Sequence, residues 1–351
     1  MKNLIKFSIF ILIATIVYFI GTYGHDYYIV KIEKVELKET AYIYITPQDN
    51  AESVMGKIKN VAPDAPIEGF GRLAEHNNFD SRKRSGKYAI KNGDTMSDIY
   101  NRIVSRQQTP VRVTIPSTRD VQQAISIISD QLMVDSAELA GYTNPTVISC
   151  FGHSASSTPS FFIPDTYEVY WDISAEDFFE KMAAWERQYW NEDRKKKAKA
   201  AGLTPREVAT LASIVDEETS NIQEMPTVAG LFINRLNKKM RLETDPTILY
   251  SIGKLSGPDR PTRVDDTHKA AAKGHPYNTY EIPGLPPGPI RIPTKQALES
   301  VLNYKKHDYL FMCAKETLDG THNFAKTNNE HNKNAARYRK AFREWKKKQK
   351  Q

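Results

Sequence analysis

The chain has 351 residues, enough for two or three domains, and carries a formal net charge of +7. The positive excess lies at one end, because residues 333–351 contain nine Lys or Arg and one acid, Glu344. The rest of the chain sums to about −1, which excludes a broad basic surface for nucleic acid. The basic end is predicted to be either a solvated helix or a segment attracted to anionic lipid headgroups or an anionic polymer.

The two cysteines, Cys150 and Cys313, could form a disulfide in an oxidising compartment or remain as two free buried thiols. No metal-ligand spacing such as CxxC or HExxH occurs in the sequence. We therefore expect neither a metal site nor a cofactor.

The N-terminal segment is predicted to be a membrane anchor. Lys2 and Lys6 precede an uncharged, apolar run over 7–24, close to the length that spans a bilayer as a helix. No small-x-small cleavage site follows it, which favours an uncleaved signal anchor over a signal peptide. The positive-inside rule then places residues 1–6 in the cytoplasm and the rest of the chain beyond the cytoplasmic (inner) membrane.

A small α+β domain is predicted over residues 36–116, where short strands and helices alternate. Its first strand, 39–46, would place two tyrosines on one face and two isoleucines on the other. Further strands are expected at 86–90 and 111–115, and helices at 51–60, 69–77 and 95–105.

Two larger regions and a tail follow. Residues 117–202 are predicted to be a mainly helical connecting region, in which the charged run 191–199 forms a solvated helix. Residues 203–345 hold most of the unusual motifs and are predicted to form an α+β domain, with a basic tail at 346–351. The chain as a whole is therefore predicted to be an α+β protein behind an N-terminal transmembrane helix.

The most informative segment begins with a helix start, in which Thr204 is the N-cap, Pro205 the first helical residue and Glu207 the partner of the cap. At about 100° per residue, an apolar stripe then covers one face of this helix. The stripe consists of Val208, Leu211, Ala212, Ile214 and Val215.

Three consecutive acids end that helix. Glu218 extends the stripe at roughly 50° from its centre, whereas Asp216 lies at about 110° and Glu217 at about 150°. Burial raises the pKa of a carboxyl, as a general acid near neutral pH requires, so Glu218 is the candidate catalytic residue. The alternative is a solvated acidic helix end.

Other segments of the third region also carry possible functional signals. The Pro/Gly-rich loop 284–290 cannot be a helix or a central strand and would suit the wall of a cleft. Residues 309–312 are predicted to be a buried strand. Two His-Asn pairs follow, beginning at His322 and His331, and either could be functional or merely structural.

These motifs resemble the endolytic murein transglycosylases of the YceG-like (MltG) family. The matching segments, in order, are ASIVDEET, FINRL, RLETDPT, YNTY, GLPPGPI and HNF…HN, with FIPDTY and GKY earlier. The resemblance covers nearly the whole chain and is strongest after residue 203. It implies a membrane anchor, a LysM-like domain over 36–116, a catalytic domain facing the cell wall, and peptidoglycan synthases as partners.

The resemblance also implies site residues. It places the catalytic glutamate at Glu218 and suggests sugar-binding or supporting roles for Asn234, Asp245, Tyr277, Asn278 and His322. Asp216 and Glu243 depart from the family pattern, since relatives carry Glu at the first position and some carry Gln at the second. Arg235 could be either a site residue or part of a structural ion pair.

The implied reaction is cleavage of peptidoglycan glycan strands between N-acetylmuramic acid and N-acetylglucosamine, with formation of 1,6-anhydro ends and termination of strand elongation. One carboxyl, Glu218, would suffice for it. Two alternatives remain open. One is a muramidase with Glu218 as acid and Asp245 as the second carboxylate. The other is a non-catalytic scaffold that binds the wall.

Overall fold

The computed structural model describes residues 2–79 and 84–348, without the side chains of residues 2–4. The Lys2 side chain and residues 349–351 of the predicted tail therefore lie outside the described residues. The chain forms two compact units. The first comprises Met1–Val113, Gln131–Met133 and Glu168–Ile173, and the second Thr114–Asp130, Val134–Tyr167 and Ser174–Gln351. The domain boundaries proposed from the sequence stay predictions.

Helices dominate the described residues, and the strands occur as short pairs. The helices are α1 (Lys2–Lys31), α2 (Ala51–Val61), α3 (Ile67–His76), α4 (Met96–Val104), α5 (Val121–Ser129), α6 (Ser136–Gly141), α7 (Pro145–Cys150), α8 (Thr158–Phe161), α9 (Ala175–Tyr189), α10 (Glu192–Ala200), α11 (Pro205–Glu218), α12 (Met225–Asn237), α13 (Asp245–Ser251), α14 (Asp266–Ala271), α15 (Lys295–Leu302) and α16 (Asn328–Lys348). The strands are β1 (Ala41–Ile45), β2 (Gly86–Ile90), β3 (Val111–Ile115), β4 (Asp165–Val169), β5 (Phe311–Ala314) and β6 (His322–Ala325). They pair as β1–β2, β3–β4 and β5–β6. The α+β class predicted from the sequence is confirmed.

The first unit is built on the antiparallel pair β1–β2, with Ala41 opposite Ile90 and Ile45 opposite Gly86. Ile43 and Ile45 are buried, whereas Tyr42 and Tyr44 on the other face are exposed. The alternation predicted for this strand is confirmed. The buried face packs on α2, α3 and α4 around Phe70, Met96 and similar side chains.

Helix α1 is longer than the apolar run that predicted it. Residues Ile5–Lys31 are long and apolar enough to cross a membrane, but the last turn of the helix belongs to the first unit. Ile29 and Val30 are buried, and Lys31 Nζ donates a hydrogen bond of 2.7 Å to Ser97 Oγ. A Cβ at Gly69 would lie 2.6 Å from the Ile29 carbonyl oxygen, so glycine is what lets α3 approach α1 this closely.

The core of the second unit surrounds α11. The predicted apolar stripe of α11 is fully buried, as Leu211, Ile214 and Val215 show, and α12 and α15 pack beside it. The apolar stripe is wide because α11 has neighbours on several sides.

The buried strand predicted at 309–312 is wrong in position and burial. Strand β5 begins two residues later, at Phe311, and each of its residues is only half-buried. Among the described strands it pairs only with β6, with Phe311 opposite Ala325 and Ala314 opposite His322. A two-stranded ribbon packed against α16 does not enclose its strands on both faces, and the open side lines a cavity.

Candidate active site

The start of α11 forms as the sequence predicts. Thr204 N donates to Glu207 Oε2 at 2.7 Å, and Glu207 N donates to Thr204 Oγ1 at 3.3 Å, with Pro205 in the first turn. This capping box fixes the rotation of the helix from its first residue. Thr219 leaves the helical conformation, so α11 ends at Glu218.

Glu218 opens into a cavity of about 380 Å³. Its lining comes from Phe232 and Arg235 of α12, from the turn that ends at Asp245, from strand β5 and from His322 of β6. The volume falls within the range of small-ligand pockets.

The surroundings of Glu218 favour its protonated form. Burial, the negative charge of Asp245 and that of Glu217 together raise its pKa to about 8. Among the described residues, none donates a hydrogen bond to this carboxyl that would stabilise the anion. At neutral pH Glu218 therefore holds a proton that it can deliver to a ligand in the cavity.

Asp245 and Tyr280 form a second polar pair in the cavity. The Tyr280 hydroxyl donates to Asp245 Oδ1 at 2.7 Å, and burial together with this carboxylate raises the pKa of the phenol. Tyr280 is held in turn because its backbone N–H donates to Asn278 Oδ1 at 3.0 Å. Asp245 is thus an oriented carboxylate that already accepts one hydrogen bond.

Arg235 is buried and holds the turn before Asp245. Its Nε donates to the Arg241 carbonyl at 2.8 Å, its Nη1 to the Leu310 carbonyl at 2.9 Å, and its Nη2 to the Glu243 carboxylate. Glu243 has a φ of 51°, a left-handed conformation that is uncommon for a residue with a side chain. The structural ion pair considered for Arg235 is present, and the Arg235 side chain also lines the cavity.

His322 is oriented by Glu224 at the start of α12. The His322 backbone N–H donates to Glu224 Oε1 at 2.9 Å, and its Nδ1 lies 3.0 Å from Glu224 Oε2. This arrangement leaves Nε2 as the ring nitrogen for a ligand.

The solvated helix end, the alternative to a catalytic site, is wrong for Asp216 and Glu217. Their side chains are 4% and 0% exposed. Asp216 accepts hydrogen bonds from Thr294 N at 2.6 Å and Thr294 Oγ1 at 2.7 Å. Burial raises the pKa of Asp216 in spite of these bonds.

Three arginines surround Glu217. Arg119 Nε lies 2.6 Å and Arg291 Nη1 2.7 Å from Glu217 Oε1, and Arg260 Nη1 lies 3.0 Å from Oε2. Burial opposes ionisation, but the guanidinium groups outweigh it and hold the pKa of Glu217 below its usual range. A permanent anion is therefore fixed beside the Glu218 carboxyl. Helix geometry could not reveal it, because the arginines come from distant segments.

Only some of the other predicted site residues line the cavity. Asp245 and His322 line the cavity with Glu218, but Asn234, Tyr277 and Asn278 do not. Asn234 Nδ2 donates to the carbonyls of residues 307 and 309, Tyr277 packs against Tyr250, and Asn278 Nδ2 donates to the Ala272 carbonyl.

Sequence reasoning missed Tyr280, which lines the cavity, and Glu224, which orients His322. Tyr280 was in view as the last residue of YNTY, whereas nothing in the sequence marks Glu224, which acts through a histidine almost a hundred residues away. Cys150 and Cys313 are free thiols, and Cys150 is exposed, contrary to the option of two buried thiols. Within the described residues, no cluster of His, Cys, Asp or Glu could hold a metal ion.

Comparison with known proteins identifies relatives. The model of the YceG-like family matches residues 43–337. A protein of Bacillus subtilis (strain 168) named endolytic murein transglycosylase is 37% identical over 167 residues, which are 48% of this chain and 44% of that protein. One of the same name from Streptococcus pneumoniae serotype 2 (strain D39 / NCTC 7466) is 31% identical over 182 residues, 51% and 32% of the two chains. The matches thus span less than half the length of these curated relatives.

A solved structure supports the fold. The crystal structure of a YceG-like protein from Listeria monocytogenes covers 85% of this chain and 99% of its own, with a TM-score of 0.51 and 24% identity. At that identity the likeness concerns the fold alone.

Proposed function

Because the chain belongs to the YceG-like family, we propose that it is a membrane-anchored lytic transglycosylase that cleaves peptidoglycan glycan strands internally. The relatives named endolytic murein transglycosylase support this activity. The observation that carries it is the carboxyl of Glu218, protonated at neutral pH in a cavity of about 380 Å³.

In the proposed reaction Glu218 first acts as an acid. Its proton goes to the oxygen that joins N-acetylmuramic acid to N-acetylglucosamine, and the bond from the muramic acid anomeric carbon to that oxygen breaks. The transition state resembles an oxocarbenium ion. Asp245, whose negative charge acts on the same cavity, would stabilise that positive charge.

Glu218 then acts as a base. As a carboxylate it removes the proton from the C6 hydroxyl of the muramic acid, whose oxygen attacks the anomeric carbon and closes the 1,6-anhydro ring. Glu218 recovers its proton and no water is consumed. The second carboxylate that a muramidase needs would be Asp245, but its Oδ1 already accepts the Tyr280 hydroxyl, which favours the lyase.

Supporting residues have distinct proposed roles. His322 would bind the sugar through Nε2, and Asn278 would act by holding Tyr280. We propose that Asn234 and Tyr277 support the walls of the cavity through their contacts within the fold and do not contact the sugar.

We further propose a location. Helix α1 would anchor the protein in the cytoplasmic membrane as a single span, with the N-terminus in the cytoplasm because of its lysines. The catalytic unit would then face the cell wall, and a LysM-like domain over 36–116 would lie close to the membrane. Peptidoglycan synthases as partners and termination of strand growth stay predictions of the family resemblance.

The decisive experiment is digestion of purified glycan strands, followed by mass spectrometry of the new ends. We expect 1,6-anhydromuramic acid ends from the wild type, and a loss of roughly 10²–10⁴-fold in rate for Glu218→Gln, the usual contribution of a general acid. Glu180→Gln, an exposed change on α9, is the matched control. Reducing muramic acid ends would establish the muramidase instead, and cleavage by Glu218→Gln at the wild-type rate would refute the assigned acid.

A further inference from the structure

A second cavity, of about 370 Å³, lies in the same unit and shares no lining residue with the first among the described residues. Its walls come from the start of α5, the start of α8 and the end of α13, and Ile290 of the Pro/Gly-rich loop also lines it. The loop expected to form the wall of a cleft therefore contributes to this cavity and not to that of Glu218.

Two short structural links join this cavity to the catalytic one. Glu217, the neighbour of Glu218 on α11, pairs with Arg119, which lines the second cavity. Helix α13 begins at Asp245 in the first cavity and presents Tyr250 in the second. Five residues of helix rise only about 7.5 Å, so the two cavities lie within a few sugar rings of each other.

The lining of the second cavity suits an uncharged polar ligand with apolar faces. Asp120, Gln122 and Thr143 offer acceptors and donors, with Gln122 Nε2 itself donating to Thr143 Oγ1 at 3.4 Å, while the Tyr250 ring and Ile290 offer apolar surface. The positive charge of Arg119 is already paired with the Glu217 carboxylate. Sugar rings, which carry hydroxyl and amide groups around apolar faces, have this chemistry.

An endolytic enzyme must hold a strand that continues on both sides of the bond it cuts. We propose that the second cavity is a distal subsite that binds sugar units of the same glycan strand away from the scissile bond. This inference rests on the proposed function, since it assigns the ligand class from it. Binding energy from such a remote site would orient the strand against Glu218.

The test is a binding measurement that needs no cleavage. The full chain carrying Glu218→Gln, in detergent, is titrated with purified long glycan strands. We expect Gln122→Ala in this background to weaken binding roughly threefold to tenfold, the value of one lost hydrogen bond. Gln123→Ala, its exposed neighbour on the same helix and outside the cavity, is the matched control and should bind as the parent does.

Asp120→Asn provides a second variant. Asp120 caps α5 by accepting from Gln122 N at 2.9 Å, and Asn is an equally good cap, so the helix start is retained while the charge in the cavity is lost. Weaker binding by both variants supports the subsite, whereas affinities equal to that of Gln123→Ala overturn it. A wild type that yields no anhydro ends would refute the proposed function separately, because the titration does not depend on cleavage.

Discussion

The three adjacent acids at the end of α11 have different surroundings, and these set the protonation state of Glu218. Its own carboxyl is left without a donor among the described residues, and its pKa rises to about 8. Glu217 is held ionised by three arginines, and Asp216 accepts two hydrogen bonds from Thr294. The three acids, adjacent in sequence, therefore divide into one protonated carboxyl, on which the proposed function depends, and two residues that fix the end of α11.

The pH dependence of cleavage tests this division. The proposed mechanism requires a protonated Glu218, so activity should fall as pH rises through about 8. Replacing Glu217 by Gln removes a negative neighbour and leaves the surrounding guanidinium groups unbalanced, which favours the Glu218 anion. We expect the alkaline limit of activity to move to lower pH by roughly half a unit or more.

The profile is measured from rates of anhydro end formation between pH 5 and pH 9. Glu180→Gln should retain the wild-type profile, because Glu180 is exposed on α9. A limit that stays in place in Glu217→Gln, or moves to higher pH, would show that the Glu217 charge does not act on Glu218.

At the scale of elements, the packing of the Pro/Gly-rich loop depends on the close approach of Gly288 to the backbone of Ser156. A Cβ on Gly288 would lie 1.9 Å from the Ser156 carbonyl oxygen, a backbone atom that cannot move aside as a side chain would. The Ile290 N–H, two residues later, donates to Ser213 Oγ of α11 at 3.0 Å. The loop thereby packs closely against the segment before α8 and is hydrogen-bonded to the helix that carries Glu218.

Gly288→Ala should therefore destabilise the second unit by about 1–3 kcal/mol, the usual cost of overpacking. Thermal unfolding followed by circular dichroism measures it. Gly141→Ala, at the end of α6 with no atom within 4 Å of the new Cβ, should be neutral or slightly stabilising. Equal melting temperatures for the two variants would contradict the close packing of the loop.

At the scale of the whole molecule, α1 has two roles within one continuous helix. Its exposed apolar part suits a bilayer, and its last turn supplies Ile29 and Val30 to the core of the first unit. A chain shortened by residues 2–24 should be soluble and folded. Removal of residues 2–31 should cost at least about 2 kcal/mol more, because two buried side chains are lost.

Urea unfolding of the two shortened chains measures this difference. Intrinsic fluorescence or circular dichroism follows unfolding, and the two shortened chains differ only in residues of the first unit, so a shift between them reports on that unit. The same midpoint for both chains would show that residues 25–31 add nothing to that unit.

Much of the architecture could be read from local patterns. The capping box of α11, its apolar stripe, the alternation in β1 and the apolar N-terminal run each depend on residues only a few positions apart. Such patterns indicate which side chains of a helix or strand are buried. The strand at 309–312 failed because an apolar run does not tell whether a strand is covered on both faces.

The sequence by itself determined that Glu218 would continue the core stripe of α11, because helix geometry is enough to recognise such a carboxyl. Its environment was decided by tertiary structure alone. The arginines that hold Glu217 come from positions 119, 260 and 291, and the hydroxyl on Asp245 comes from residue 280. Electrostatic interactions act through space, so the pKa of Glu218 depends on neighbours that no local pattern can locate.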